Sequence, residues 1–147
     1  MTRSFFDQVD DEVRGFVGPA LRNFQSEKSG RLIKLWYVDP SVHFEAQKLS
    51  VTWSPLPGPC LEIGLHLESK LLRRNEAILG QLLESRQIWE SRLAGADYGE
   101  AFGPQGPAWR RLSEVIEIDS MDEEFAGEVA ERFSAYILTL QPLLAAL

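Results

Sequence analysis

The sequence predicts an α+β fold: an antiparallel sheet of about four strands, in the order α-β-β-β-α-β-α, with the helices packed on it. Three observations lead there. Apolar residues recur at helical spacing in three segments and alternate at period two in others; the first three strand segments follow one another with short links; and 147 residues suffice for one domain with a real core. Adjacent strands joined by short connections are most simply antiparallel. Residues 1–147 are therefore read as a single domain.

Ser4 and Asp7 resemble a capping box, and Phe5, Val9, Val13, Phe16, Ala20 and Phe24 share one helical face. Gly18-Pro19 kinks or breaks that helix, and Lys28-Ser29-Gly30 ends it. Leu32 to Val38 is rich in β-branched and aromatic residues, as in a strand buried on both faces. Val42, Phe44 and Ala46 alternate with His43, Glu45 and Gln47, after which Leu49, Val51 and Trp53 carry the apolar set, so a bulge or turn is expected near Lys48.

Pro55 to Pro59 is a turn, and Leu61, Ile63, Leu65 and Leu67 alternate with Glu62, Gly64, His66 and Glu68 in the third strand. A long helix fills the chain from Lys70 or Asn75 to Leu93. Gly95 to Pro107, with four glycines and two prolines, reads as a long loop. Leu112 to Ile118 is the fourth strand. Ser120 with Glu123 opens the last helix, bounded or bent at Pro142.

Composition narrows the function classes. The net charge of -7 weighs against nucleic acid as a partner, since phosphate neutralisation needs a basic surface. No apolar run reaches membrane-span length, and the single cysteine cannot form an internal disulfide, so a cytoplasmic location without a membrane partner is expected. Cys60 has no histidine beside it to activate it as a nucleophile.

The only two histidines lie in twin His-x-Glu stretches, His43/Glu45 and His66/Glu68. Paired as a hairpin, the two strands put these groups on one sheet face. Charge complementarity favours the register in which His43 faces Glu68 and Glu45 faces His66, over one in which Glu45 and Glu68 collide. Such a patch offers two imidazoles and two carboxylates to a divalent metal. The favoured reading of the same patch is a ladder of cross-strand pairs, exposed to solvent or covered by a helix, with a metal site as the minority reading.

The element order, with Asp39 before the second strand and Glu68-Ser69-Lys70 ending the third, resembles the core of the PD-(D/E)xK nucleases. That resemblance implies a divalent-metal-dependent hydrolase, with carboxylates Asp39 and Glu68 on the ion and Lys70 beside the attacking water. Here proline follows the aspartate instead of preceding it. The order also looks like that of small acidic secretion chaperones, which implies a dimeric, chaperone-like or adaptor role, although one strand instead of two follows the second helix.

With no nucleophile elbow, phosphate loop, dinucleotide fingerprint or Cys-x-x-Cys pair, the leading expectation is a non-catalytic module without a cofactor. It would bind another protein, with a homodimer as one arrangement. The metal-dependent hydrolase is the alternative, and a small-molecule sensor with the Gly/Pro loop as a lid is a third. Trp36, Trp53 and Trp89 sit at core-type positions, whereas Trp109 precedes the fourth strand in a loop. Trp109, Arg110 and Arg111 are therefore the candidate interaction residues, with Lys70, Arg73 and Arg74 as a further basic group.

Overall fold

In the computed structural model, which describes residues 4–147, the α+β expectation holds with a larger sheet. The elements are α1 (Phe5–Val17), β1 (Gln25–Lys28), β2 (Leu32–Trp36), β3 (Val42–Lys48), β4 (Cys60–Leu67), α2 (Leu72–Glu84), α3 (Arg86–Trp89), β5 (Asp97–Glu100), β6 (Arg110–Glu117) and α4 (Glu123–Ala145). Six strands, antiparallel at every pairing, lie in the order β1-β2-β3-β4-β6-β5. The count of four is thus corrected by two strands, β1 and β5, which occupy the two edges.

The first helix stops at Val17, where Gly18 takes φ 83° and Pro19 cannot extend the ladder. Its start is capped as expected, with the Ser4 side chain accepting from the Asp7 amide. The released segment turns back as β1. Lys28 on β1 reaches Asp10 of α1 at 2.7 Å, which ties the edge strand to the helix layer.

The core lies between one sheet face and the pair α1/α4. Phe6, Val9 and Val13 of α1 and Val129, Phe133, Tyr136, Ile137 and Leu140 of α4 meet Ile33, Leu35, Phe44, Ala46, Ile63, Leu65 and Leu112 of the sheet. β2 is buried on this face only; Leu32, Lys34 and Trp36 on its other side are half-exposed. The long second helix is interrupted at Ser85. Trp89 after the break is buried and donates its indole N–H to the Leu82 carbonyl at 2.7 Å.

Asn75 does not cap α2 but sits within it, buried. Its side chain accepts from the Ser69 amide (2.9 Å) and donates to the carbonyls of Ser69 (3.1 Å) and Ala108 (2.9 Å). It clamps the end of β4 to the segment entering β6. Asn75→Ala strands these backbone groups and is expected to cost about 2–4 kcal/mol in urea unfolding, since each unsatisfied buried group costs about 1–3 kcal/mol.

The β3/β4 register differs from the electrostatic expectation. His43 lies opposite His66, Glu45 opposite Gly64 and Gln47 opposite Glu62. The observed register lies two residues from the expected one and keeps the same faces, with Val42, Phe44 and Ala46 opposite Leu67, Leu65 and Ile63 on the core side. The histidines still meet carboxylates, but along the strand and on the diagonal instead of directly across.

Candidate functional site

The sheet face opposite α1 and α4 carries His43, Glu45 and Gln47 from β3, Glu62, Gly64 and His66 from β4, Lys34 from β2, and Arg111 and Ser113 from β6. Alternation makes this face polar. It is neither solvated nor covered by a helix: Glu62 is 0%, His43 1%, His66 2% and Glu45 3% exposed. Two loops overhang it, one after β3 and one between β5 and β6. They touch where Trp53 packs on Gly103, whose φ of 99° and lack of a side chain allow the indole to lie close.

Between the loops and the sheet lies a cleft of about 600 Å³. Lys34, Glu45, His66 and Glu68 contribute to its lining, together with the aromatic residues Trp53, Phe102 and Trp109. Trp53 is thus a cleft residue, about half exposed, and not a core residue.

Beneath the cleft the charged groups form a chain. His43 donates from Nδ1 to the Pro40 carbonyl (2.9 Å), and its Nε2 lies 3.0 Å from Glu45 Oε1 and 3.9 Å from Glu68 Oε1. Glu68 Oε2 lies 3.5 Å from His66 Nδ1, and His66 Nε2 lies 3.3 Å from Glu62 Oε2. The two imidazoles stack with centroids 5.7 Å apart and planes 7° from parallel. Glu62 also accepts from Gln47 (2.9 Å) and Ser113 (2.7 Å), while Lys34 Nζ stands 3.9 Å from Glu45.

Burial opposes the charges of Glu62, His66 and Glu68, and the pairing overrides it. Burial would raise Glu62, yet His66, with Ser113 and Gln47, holds its carboxyl down at about 2. Burial would lower His66, but Glu62, Glu45 and Glu68 lift it well above the usual imidazole range. Glu68 is likewise pushed up by burial but held below the ordinary carboxylate value by His66, His43 and Lys34.

The four residues His43, Glu45, His66 and Glu68 are thus brought together, through a register other than the expected one. Among the described residues, His43, Glu45 and Glu68 are the group of metal-capable side chains whose ligand atoms all lie within 4.8 Å of one another. Of the hydrolytic set, only Glu68 belongs to this group. Asp39 binds Arg74 (2.7 Å) and Ser41 (2.8 Å) and lines a separate groove beside α2 and the end of α4, and Lys70 is exposed.

Arg111 turns inward: it bonds the Glu100 carbonyl (3.1 Å) and Ser113 (3.1 Å) and lies 4.1 Å over the Phe102 ring, so it shapes the cleft instead of facing outward. Arg110 bonds the carbonyls of Pro107 and Trp109. Buried Cys60 meets Ser54 Oγ at 2.8 Å.

Glu62 was legible as a member of the face, because it shares the parity of Gly64 and His66. Lys34 and Ser113 enter from β2 and β6, and only the strand order places them here. Among the described residues no helix is long and apolar enough to cross a membrane. Comparison with protein-family models, with curated proteins and with solved structures gives no match, which leaves the geometry of the cleft and its ionic floor as the ground for a functional reading.

Proposed function

We propose that this chain is a non-catalytic binding module whose ligand, a small organic molecule, occupies the cleft over the polar sheet face. The carrying observation is that the buried ionic cluster lies beneath an open, aromatic-walled cleft instead of a packed layer. Buried ion pairs are seldom the most stable filling for a protein interior, and perturbed titratable groups in a cleft mark functional sites. The volume of about 600 Å³ falls within the range for small-molecule sites. Loops carry the walls and the sheet carries the polar floor, an arrangement suited to orienting a ligand by a few fixed groups.

A protein partner that inserts a side chain into the same cleft is the second reading, favoured by half-exposed Trp53 at its edge. It keeps Trp109 as a contact residue and leaves an adaptor-like role in place. Support for the hydrolase reading is weaker, because Asp39 is engaged by Arg74 and Lys70 is exposed.

The test is native mass spectrometry of protein purified from its own cells, comparing wild type with Ala101→Trp, which fills the cleft. A small-molecule adduct confined to wild type is expected. Readded at about 100 times its Kd, that compound stabilises the wild type by about 2.7 kcal/mol, or roughly 5–10 °C in Tm. A protein that co-purifies only with wild type establishes the second reading. Adducts equal in both forms, or none with either, overturn the use of the cleft.

A further inference from the structure

We propose that the floor of the cleft holds a divalent first-row transition-metal ion on His43 Nε2 and one carboxylate oxygen each of Glu45 and Glu68. The inference goes beyond the organic ligand and does not require one. The ion has its own donors, and the cleft only gives it access.

The first support is spacing. A zinc-sized ion lies about 2.0–2.2 Å from nitrogen and oxygen donors, which puts neighbouring donors roughly 3.0–3.5 Å apart. His43 Nε2 and Glu45 Oε1 already stand at 3.0 Å, and His43 Nε2 and Glu68 Oε1 at 3.9 Å. Closing the set asks for a small rotation of Glu68, whose side chain is 14% exposed and the least confined of the three.

Orientation is the second support. By donating Nδ1–H to the Pro40 carbonyl at 2.9 Å, His43 has its ring fixed by a backbone group with Nε2 turned to the carboxylates. That outer hydrogen bond is the usual companion of a metal-binding imidazole.

His66 supplies the third and independent observation. It is 2% exposed and lines the cleft, yet its ring nitrogens have only the ion-pair approaches to Glu62 (3.3 Å) and Glu68 (3.5 Å), and neither makes a hydrogen bond. Such buried polar atoms demand an explanation. Nδ1 lies 3.5 Å from Glu68 Oε2. Once Oε1 is drawn onto an ion, the other oxygen is free to settle on the His66 N–H, so His66 is assigned as a positioning residue for Glu68.

Donor chemistry narrows the ion. One imidazole and two carboxylates suit zinc or manganese, and two carboxylates balance a dication. Lys34, 3.9 Å from Glu45, supplies positive charge when no ion is bound and must yield to it. Three protein donors with one side facing a cleft leave a position for water or ligand, unlike a closed structural site.

The experiment uses the wild-type chain dialysed against chelator and titrated with Zn²⁺, then Mn²⁺. With only two histidines in the chain, the imidazole ¹⁵N spectrum reads the site without any substitution. Expected are one ion per chain, a shift of His43 Nε2 on Zn²⁺ addition, and retention of its Nδ1–H. Calorimetry on Glu45→Gln should show affinity weakened by at least the ~10–100-fold that loss of an outer partner alone costs, with Glu128→Gln on α4 as the unchanged control. Metal-independent imidazole spectra, or full Zn²⁺ affinity in folded Glu45→Gln, overturn the proposal and leave the cluster a self-neutralised ionic network. Should Glu45→Gln fail to fold, the wild-type spectra decide alone. Zn²⁺ binding without an organic adduct, or the reverse, separates this site from the ligand reading.

Discussion

Gly64→Ala is expected to lower Tm by roughly 6–12 °C, the equivalent of about 3 kcal/mol from overpacking and backbone strain together. Gly64 lies in β4 between Glu45 of β3 and Ser113 of β6. A Cβ built there meets Ser113 Cα at 2.5 Å and Ser113 Cβ at 2.6 Å, and it also collides with the Leu112 carbonyl, all parts of a central strand that cannot swing aside. The φ of 157° adds a conformation that side chains seldom adopt.

The missing side chain does more than permit close strands. Glu62 and His66 are four residues apart on an extended strand, ~13 Å along it. They nevertheless meet at 3.3 Å, on the face where residue 64 presents nothing between them. Gly64→Ala therefore should also uncouple Glu62 from His66, seen as a fall in the His66 imidazole pKa. Differential scanning calorimetry and the imidazole spectrum check the two effects. An alanine variant as stable as wild type would show that β6 shifts more freely than its central position implies.

Glu62→Ala is expected to cost about 3–5 kcal/mol, because it leaves the His66 cation buried without its partner. The carboxylate is fully buried, bound by Gln47 from β3 and Ser113 from β6, and faced by His66 on its own strand. Its folded-state pKa of about 2 lies below the ordinary value of 4.5. Unfolding therefore takes up a proton on the acid side. The stabilisation is complete above pH 4.5 and is lost as pH falls towards 2, on the order of 3 kcal/mol in all. Urea unfolding in chelator, at pH steps through this window, should give a steeper loss for wild type than for Glu62→Gln. Parallel slopes would mean that Glu62 is not the group that carries acid sensitivity.

Legibility followed hydrophobic contrast. β4, α1 and α4 were readable because one face of each must be apolar to meet the core, and the interior positions Leu61, Ile63, Val129 and Phe133 repeat at the right period. β1 and β5 carry no such contrast. Gln25–Lys28 and Asp97–Glu100 are four-residue edge strands with exposed ends, held mainly by backbone pairing, which leaves little side-chain trace. In the sequence the first reads as the end of a helix and the second as part of a glycine-rich loop.

The candidate site was legible in membership and not in depth. Period-two alternation put His43, Glu45, His66 and Glu68 on one face, whatever the register. The register is not legible from alternation, because a slip of two residues keeps every side chain on its face and sets Phe44 and Ala46 against leucine or isoleucine either way. Burial of a polar face depends on loops that approach from far along the chain, and the Trp53–Gly103 contact has no local sequence signal.

Those same edge strands bear on how copies of this chain can assemble. A sheet that ends in Gln-Ser-Glu-Lys on one side and Asp-Tyr-Gly-Glu on the other offers neighbouring molecules only two short, charge-bearing margins. Such margins are poor templates for strand addition. Self-association by growing the sheet across molecules is thereby discouraged, and a dimer of this chain would have to join through its helices or loops.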